Sequence, residues 1–564
     1  MSKLNSFLEK QDWKRLFGFF LIVWLLINFL QVVFTEVMHD ESYYYLYGEN
    51  LAWGYYDHPP MVGLITYISS LLFNGNMSVR FMTVLLQFFT LVLIWKTIEE
   101  ETPDSRKITL FFIISASMIM FTAYGFVTAP DVPFLFFTAL FIFIYKRYLQ
   151  KDSWSNTLWL GFAMAGMVYS KYHAALVILL IVLSNLRLLT KYKSWVALLF
   201  AILLLAPHIW WQVSNDFPSF QYHLSGRSSA FKFRYFTEYL PNQLVVFNPL
   251  TLGAFIYVLI KYKPAGIFER GLYFLSIGFL AFFWLMTFRG HVEPHWTVAC
   301  TIPMILLVYK HSLQNPKLYR FVKNWVTPTI ILIFMVRIVL VTDLLPEKLG
   351  FHGKKAKDKK IEQVAGELPV IFTGSFQKPS TYHFFTTKEA TVLSGVDSRQ
   401  TQFDIWQKEL QYQGKPVFIC VNLPGKSTTY TVDGYSFAGY VTQNFQSVNR
   451  LKIEYDLKQD NFAIGDTLYI DFIIKNPTEH TINFDHEEFP VTLRAAYAKR
   501  KSADYGECML NEQIDYLPAQ SEISGRLKTI IPDLSDEKYS FTLTLDNTIC
   551  PAMNASFTPI KIKR

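Results

Sequence analysis

The sequence predicts a polytopic α-helical membrane protein of about 11 transmembrane helices, followed by an exported region with a small α/β layer and a β-sandwich. Three features of the 564 residues predict this: apolar runs of spanning length confined to the first part, an uneven spread of charge, and strand-and-turn alternation in the rest. Residues 1–343 hold 27 Lys+Arg and 18 Asp+Glu, a net +9, whereas residues 344–564 hold 26 and 27, a net −1. Charged residues are 17% of the chain, against roughly 25% in soluble proteins. This distribution excludes a single soluble globule, a disordered chain, a coiled coil and a disulfide-framed secreted module. The overall +8 reflects membrane topology and makes no case for nucleic acid.

Taken in order, the first candidate span is 17–34, preceded by Lys3, Lys10, Lys14 and Arg15. It has no small-residue cleavage site after it and reads as an anchor. Further spans are expected near 78–97, 108–127, 131–149, 195–212, 240–260, 270–288 and 325–343, with shorter ones near 156–170, 172–187 and 296–310. With a cytoplasmic N-terminus, the inside loops collect 20 of the 27 basic residues, among them Lys96, Arg106, Lys146, Lys191, Lys261 and Lys317. The outside loops keep Arg80, Lys171, Arg227, Lys232, Arg234 and Arg289, and Arg337 lies within a span. The expected location is therefore a bacterial inner (plasma) membrane, multi-pass, with residues 344–564 periplasmic or extracellular. A basic residue that resists this bias calls for an anionic partner or a snorkelling position.

The domains expected are 1–343, 344–436 and 437–564. In the tail, 369–373 and 416–421 are short apolar strands separated by a helical stretch near 399–412, and strands follow at 449–455, 467–475, 490–498, 526–531, 539–545 and 557–563. Tyr469, Asp471 and Ile473 alternate with Ile470, Phe472 and Ile474, as a sandwich strand requires. Cys508 with Cys550 is the pair that could bridge strands, and no C-x-x-C spacing supports a metal site.

The strongest chemistry follows the first span. The chain reads Glu36-Val-Met-His-Asp40-Glu41-Ser-Tyr-Tyr-Tyr, then Trp53-Gly-Tyr-Tyr-Asp57-His58-Pro59-Pro60, with no Lys or Arg between Arg15 and Arg80. Carboxylates without a local cation are candidates for a raised pKa, a metal, or a hydroxyl proton to accept. Adjacent residues on a helix face different ways, so Asp40 and Glu41 should have different roles. The Tyr and Trp residues, Tyr44 and Trp53 among them, form either an interfacial belt or a platform for a sugar or lipid headgroup. Residues 61–73 are too short to span and read as an interfacial helix, placing Asp57 and His58 at its N-terminus.

An Asp-Glu pair after the first helix, then Asp-x-His-Pro-Pro or His-Pro-Pro, an interfacial helix and an Arg opening the next span resembles the polyprenyl-phosphate-sugar glycosyltransferases of the GT-C superfamily. Within it, the protein O-mannosyltransferase and lipid A aminoarabinose transferase families are most similar. The residues that carry the likeness are Asp40-Glu41, Asp57-His58-Pro59-Pro60 and Arg80, with looser support from Thr128-Ala-Pro-Asp131 and Gly166-Met-Val-Tyr-Ser-Lys171. It covers roughly residues 15–345. One departure is His58, where the aminoarabinose group has Lys and the O-mannosyl group His.

The resemblance implies an isoprenoid-phosphate-linked sugar donor, an acceptor hydroxyl on lipid A, another glycan or a protein, and transfer at the outer face of the bilayer. A single inverting displacement needs a base on the acceptor and cations around the departing phosphate. Asp40 is the expected base, with Glu41 orienting it or the acceptor. Lys171, Arg227, Arg289, His58, Lys232 and Arg234 are the candidate phosphate ligands. Asp57, Asp131, Tyr44, Trp53 and His291 are candidate substrate contacts, Asp131 being either a helix N-terminal carboxylate or a second acidic site residue. The cluster Arg289-Gly-His291-Val-Glu293 also fits a turn with an Arg289–Glu293 pair. No cofactor is required; if a divalent metal binds, Asp40, Glu41 and His291 are its candidate ligands. The competing readings are a secondary transporter, for which the sequence offers no repeat, and a lipid-binding scaffold, which leaves the acidic loop unexplained.

Overall fold

The computed structural model describes residues 13–223, 231–342, 344, 350–499, 502–534 and 538–563. The chain divides into two compact units, Met1–Gly353 and Lys354–Arg564. The division falls after Gly353 and not after residue 343, because the chain returns to the first unit before leaving it. Glu36 N donates to the Phe351 carbonyl at 3.0 Å, and the Phe351 ring packs with Val32, Val84 and Phe126.

The first unit is helical throughout. Its main helices are α1 Trp13–Phe34, α2 His39–Glu49, α3 Met61–Leu72, α4 Asn76–Ile98, α5 Ser105–Ser117, α6 Ile119–Ala123, α7 Asp131–Gln150, α8 Trp154–Ser170, α9 Ala174–Ser184, α10 Tyr192–Ser214, α11 Phe233–Phe247, α12 Pro249–Lys261, α13 Ile267–Met286, α14 Thr301–Gln314 and α15 Thr327–Val341. Among the described residues, seven helical segments are long and apolar enough to cross a bilayer, or eight if the bent pair α11–α12 is one span. The remainder of the expected 11 are shorter or broken. The run near 108–127 stops at Met118, which is extended (φ −75°, ψ 104°), and the run near 240–260 bends by 104° at Asn248, whose φ is 70°. Asn248 makes this corner a new helix start: its side chain accepts from Leu250 N, and Pro249 occupies the first turn.

Charge separates to the two ends of the helices. At one end Glu99 pairs with Lys146 (3.0 Å), Glu100 with Lys107 (2.7 Å), Asp152 with Lys191 (3.3 Å), and Glu269 with Lys310 (2.7 Å). The opposite end, where α1 finishes and α4 and α7 begin, holds the acidic loop.

The second unit opens with α16 Lys354–Ala365, in the lysine-rich stretch. A five-stranded sheet follows in the order β2-β1-β3-β5-β4, built from β1 Val370–Thr373, β2 Ala390–Leu393, β3 Val417–Ile419, β4 Thr428–Val432 and β5 Tyr435–Thr442, with parallel pairing around β1. Because β5 closes this sheet, the α/β layer extends through Thr442 and not to 436. Eight further strands, β6 Lys452–Tyr455, β7 Asn461–Ala463, β8 Thr467–Asn476, β10 Thr492–Lys499, β11 Ser502–Leu510, β13 Ser521–Ile530, β14 Lys538–Asp546 and β15 Thr558–Lys563, run in the order β6-β8-β13-β11-β10-β14-β15-β7, while β9 Ile482–Asn483 and β12 Tyr516–Leu517 pair with each other. β11 Ser502–Leu510 changes partner along its length: residues 502–507 pair with β10 Thr492–Lys499, and residues 508–510 pair with β13 Ser521–Ile530. The two halves thereby share one core, in which Ile470, Phe472 and Ile474 meet Leu493, Tyr497, Phe541 and Leu543. All four cysteines, Cys508 and Cys550 included, are free.

Candidate functional site

α2 begins immediately after the α1 connection and carries both acidic residues in its first turn. Their environments differ sharply, as neighbouring helix positions allow. Asp40 is exposed, whereas Glu41 is 1% exposed. Glu41 Oε1 accepts from Arg80 Nε (2.7 Å) and Thr128 N (2.8 Å), and Oε2 accepts from Arg80 Nη2 (2.5 Å) and Met38 N (2.9 Å). Arg80 completes its own set by donating to the Thr35 carbonyl and hydroxyl (2.8 and 3.0 Å) and the Glu36 carbonyl (3.0 Å). This pair ties the end of α1, the start of α2, the start of α4 and the loop before α7 into one joint. Its donors and acceptors are used within the protein, as a buried ion pair requires.

Asp40 faces a second constellation. Tyr124 lies within electrostatic reach of Asp131, Tyr44 and Asp40. Asp131 Oδ1 accepts from Lys171 Nζ at 2.7 Å, with both side chains buried. Asp131 is thus both the N-terminal carboxylate of α7 and the partner of Lys171, which caps the end of α8. His58 Nε2 stands 3.4 Å from Tyr44 Oη, and Tyr47 Oη donates to Asp57 Oδ1 at 2.6 Å. Burial, with the Asp57 carboxylate adding to it, pushes the Tyr47 phenol well above its usual range, so it remains the proton donor of that bond. Tyr172, next to Lys171, is within electrostatic reach of Asp57. Asp40, Tyr44, Asp57, His58, Asp131 and Lys171 are therefore gathered at one end of the bundle.

The tyrosines are not a lipid-facing belt. Tyr43, Tyr44, Tyr47 and Tyr55 are buried, and Tyr47 and Tyr55 stack at 3.8 Å. Trp53 is the exposed member at 53%, and its carbonyl accepts from His208 Nδ1 at 2.6 Å. α10 and the segment after it contribute a further shell, in which His208 and Gln212 are residues that the sequence reading missed. Gln212 Nε2 donates to Tyr172 Oη (3.0 Å) and Ser219 Oγ (2.8 Å), Ser219 Oγ donates to the Tyr55 carbonyl (2.8 Å), and His223 Nε2 donates to the Asp57 carbonyl (3.1 Å). His208 and Gln212 recur at i, i+4 in an otherwise apolar helix, a signal that could have found them.

The remaining candidates sit on neighbouring segments. Arg289 and Lys232 are exposed. Arg234 pairs with Glu238 (2.5 Å) one helical turn away, at the surface. His291, not Arg289, approaches Glu293, at 3.6 Å, and its ring meets Tyr235 at 5.5 Å. His173, two residues past Lys171, contacts Trp296 at 5.2 Å and so joins this group to the Lys171 turn. Arg227 lies outside the described residues. Among the described residues, no three His, Cys, Asp or Glu side chains converge for a metal, and the four bonds to Glu41 occupy one of the ligands expected.

The sequence model of the dolichyl-phosphate-mannose-protein mannosyltransferase family matches residues 57–211, a stretch from Asp57 through Arg80, Asp131 and Lys171 to α10. A lipid A galacturonosyltransferase, RgtD of Rhizobium johnstonii, is 24% identical over 190 residues, 32% of this chain; the match spans 40% of that relative's length. The solved structure of ArnT from Cupriavidus metallidurans in the apo state superposes with a TM-score of 0.56 at 12% identity, over 76% of this chain and 97% of that one. ArnT bound to undecaprenyl phosphate gives 0.54 at 12% identity, over 75% and 97%. The chain therefore shares the GT-C fold of ArnT, and the mannosyltransferase-family model matches it over residues 57–211.

Proposed function

We propose that this chain is an integral-membrane glycosyltransferase that moves a sugar from a polyprenyl-phosphate donor to a hydroxyl of a glycolipid acceptor. The observation that carries the reading is the exposed Asp40 carboxylate, which shares the neighbour Tyr124 with Asp131 of the buried Asp131–Lys171 pair, at the end of the bundle that also holds Asp57-His58-Pro59-Pro60. Asp40 takes the proton of the acceptor hydroxyl as its oxygen bonds to the sugar C1. The bond from C1 to the phosphate oxygen breaks, the configuration inverts, and the electron pair leaves with the polyprenyl phosphate. Negative charge then grows on the phosphate, for which Lys171 and, from other segments, the exposed Arg289, Lys232 and Arg234 are the candidate cations. Arg80 is committed to Glu41, so it supplies structure and not phosphate binding. The mechanism uses no cofactor.

Binding of undecaprenyl phosphate by ArnT and the lipid A acceptor in the name of RgtD support the donor and acceptor classes. The basic residues paired at the opposite end of the helices support a cytoplasmic N-terminus, with the site and the second unit on the outer face of a bacterial inner membrane. The test is turnover by purified full-length protein given a polyprenyl-phosphate sugar with lipid A, or with a serine/threonine-rich polypeptide, as acceptor. Transfer to lipid A is expected. Transfer to the polypeptide alone would replace the acceptor class, and no transfer from any polyprenyl-phosphate sugar would overturn the reading.

A further inference from the structure

Arg337 stands inside the membrane part of the chain with no carboxylate paired to it among the described residues. It lies in α15 and is 6% exposed. Its Nε donates to Gln31 Oε1 (3.3 Å), and its Nη2 donates to Asn28 Oδ1 (2.8 Å) and the Ile27 carbonyl (3.5 Å). The guanidinium also lies over the Phe126 ring, 4.7 Å from its centre. Every one of these partners is neutral. A buried guanidinium surrounded only by neutral groups retains a full charge in a medium that penalises it.

One buried side-chain N–H donor at this place has no acceptor among the described residues: Nδ2 of Asn28, a residue that is 0% exposed. Rotating the amide does not help, because Oδ1 must face the guanidinium. Arg337 comes four positions before Val341, the last residue of α15, so it sits about 6 Å below the helix end. Gln31 comes three positions before Phe34, the last residue of α1. Both residues lie within about one turn of their helix ends. The segment Pro316–Val341 has only 11% of its apolar window buried, so its flank is open to the bilayer.

We propose that Arg337, Asn28 and Gln31 form a binding site for the phosphate of an anionic lipid, separate from the candidate active site and independent of the reaction assigned to it. A phosphate suits the fork of Arg and the adjacent amide donor better than a neutral headgroup does. The segment 124–128 connects the two places. Gly125 packs on Asn28 and Phe126 lies under Arg337, while Thr128 N donates to Glu41 and Tyr124 lies near Asp131. A lipid bound at Arg337 braces the segment that closes the Glu41–Arg80 joint.

The experiment uses the full chain in nanodiscs, with bound lipids read by native mass spectrometry in competition between phosphatidylglycerol, polyprenyl phosphate and phosphatidylcholine. The wild type should retain phosphatidylglycerol or polyprenyl phosphate over phosphatidylcholine, and R337Q should weaken that retention by about 10- to 100-fold. Whichever lipid loses affinity in R337Q is the source of the phosphate. R337K keeps the charge but removes the fork, so it should show a smaller loss, and it decides the matter if R337Q does not fold. Retention of anionic lipid by R337K and R337Q equal to the wild type, or no preference of the wild type over phosphatidylcholine, would overturn the site.

Discussion

Arg80 holds Glu41 through two hydrogen bonds of 2.7 and 2.5 Å, with neither side chain more than 1% exposed, while Asp40 beside it faces out. The two adjacent carboxylates therefore divide structure from chemistry. E41Q leaves Arg80 charged and half-partnered in a closed site. Breaking a buried pair costs about 3–5 kcal/mol, so E41Q should lower the thermal unfolding temperature and the folded yield in detergent. An E41Q protein as stable as the wild type would remove the joint from the account.

Asp40→Asn removes the proton acceptor at an exposed position and keeps its size. Stability should be unchanged, and turnover should fall about 10²- to 10⁴-fold with donor binding retained. Near-normal turnover would rule out Asp40 as the base.

Lys171 and Asp131 form a pair whose two roles separate in a double-mutant cycle. K171M and D131N should each destabilise the protein by about 3–5 kcal/mol, and the double variant should recover much of that loss. Turnover should stay low in the double variant, because the cation near the departing phosphate is gone. Recovery of turnover along with stability would confine Lys171 to a structural role.

His486 in the second unit is buried, and its Nδ1 accepts from Glu488 N (3.2 Å) and Phe489 N (3.1 Å). Burial lowers its pKa below the usual 6.5. A depressed folded-state value means that the unfolded chain binds the proton first. Stability is therefore full above about pH 6.5 and declines as pH falls below it. H486N keeps an acceptor without a titrating ring, so its unfolding temperature should change less between pH 7 and pH 5. An identical slope for the variant and the wild type would show that other groups set the acid limit.

Alkaline phosphatase joined after Gly353 should be active, and a cytoplasmic reporter at the same point silent. The reverse result would invert the proposed orientation and place every candidate site residue on the cytoplasmic side.

Much of the loop chemistry was legible because it is local: the acidic pair, the His-Pro-Pro turn and the short helix after it all lie within one stretch. The partner of Glu41 was less so, since Arg80 is 39 residues away and only tertiary folding brings the two together. The strands of the second unit were readable from alternation, as in β8 Thr467–Asn476, where alternate residues are buried. The break at Met118 was not, because no Gly or Pro marks it. It rests on long-range contacts, Ser117 Oγ with Thr251 Oγ1 (2.8 Å) and Gln87 Nε2 donating to the Phe121 carbonyl (2.5 Å). In the lysine-rich start of the second unit, Lys354, Asp358, Ile361 and Ala365 are buried along one face of α16. Their spacing of four, three and four is helical, but the charges around it hide the stripe.

Gly125 has no room for a side chain: a Cβ there would lie 2.6 Å from Asn28 Oδ1 and 2.9 Å from Nδ2. Position 125 can therefore accept even alanine only if the Asn28 amide moves or is replaced by something smaller, and either change disturbs the 2.8 Å bond that Asn28 accepts from Arg337. The three positions lie far apart in the chain but form one steric unit. In descendants of this sequence, residues 28, 125 and 337 should change together or not at all, and a swap of any one of them between relatives should fail unless the other two travel with it.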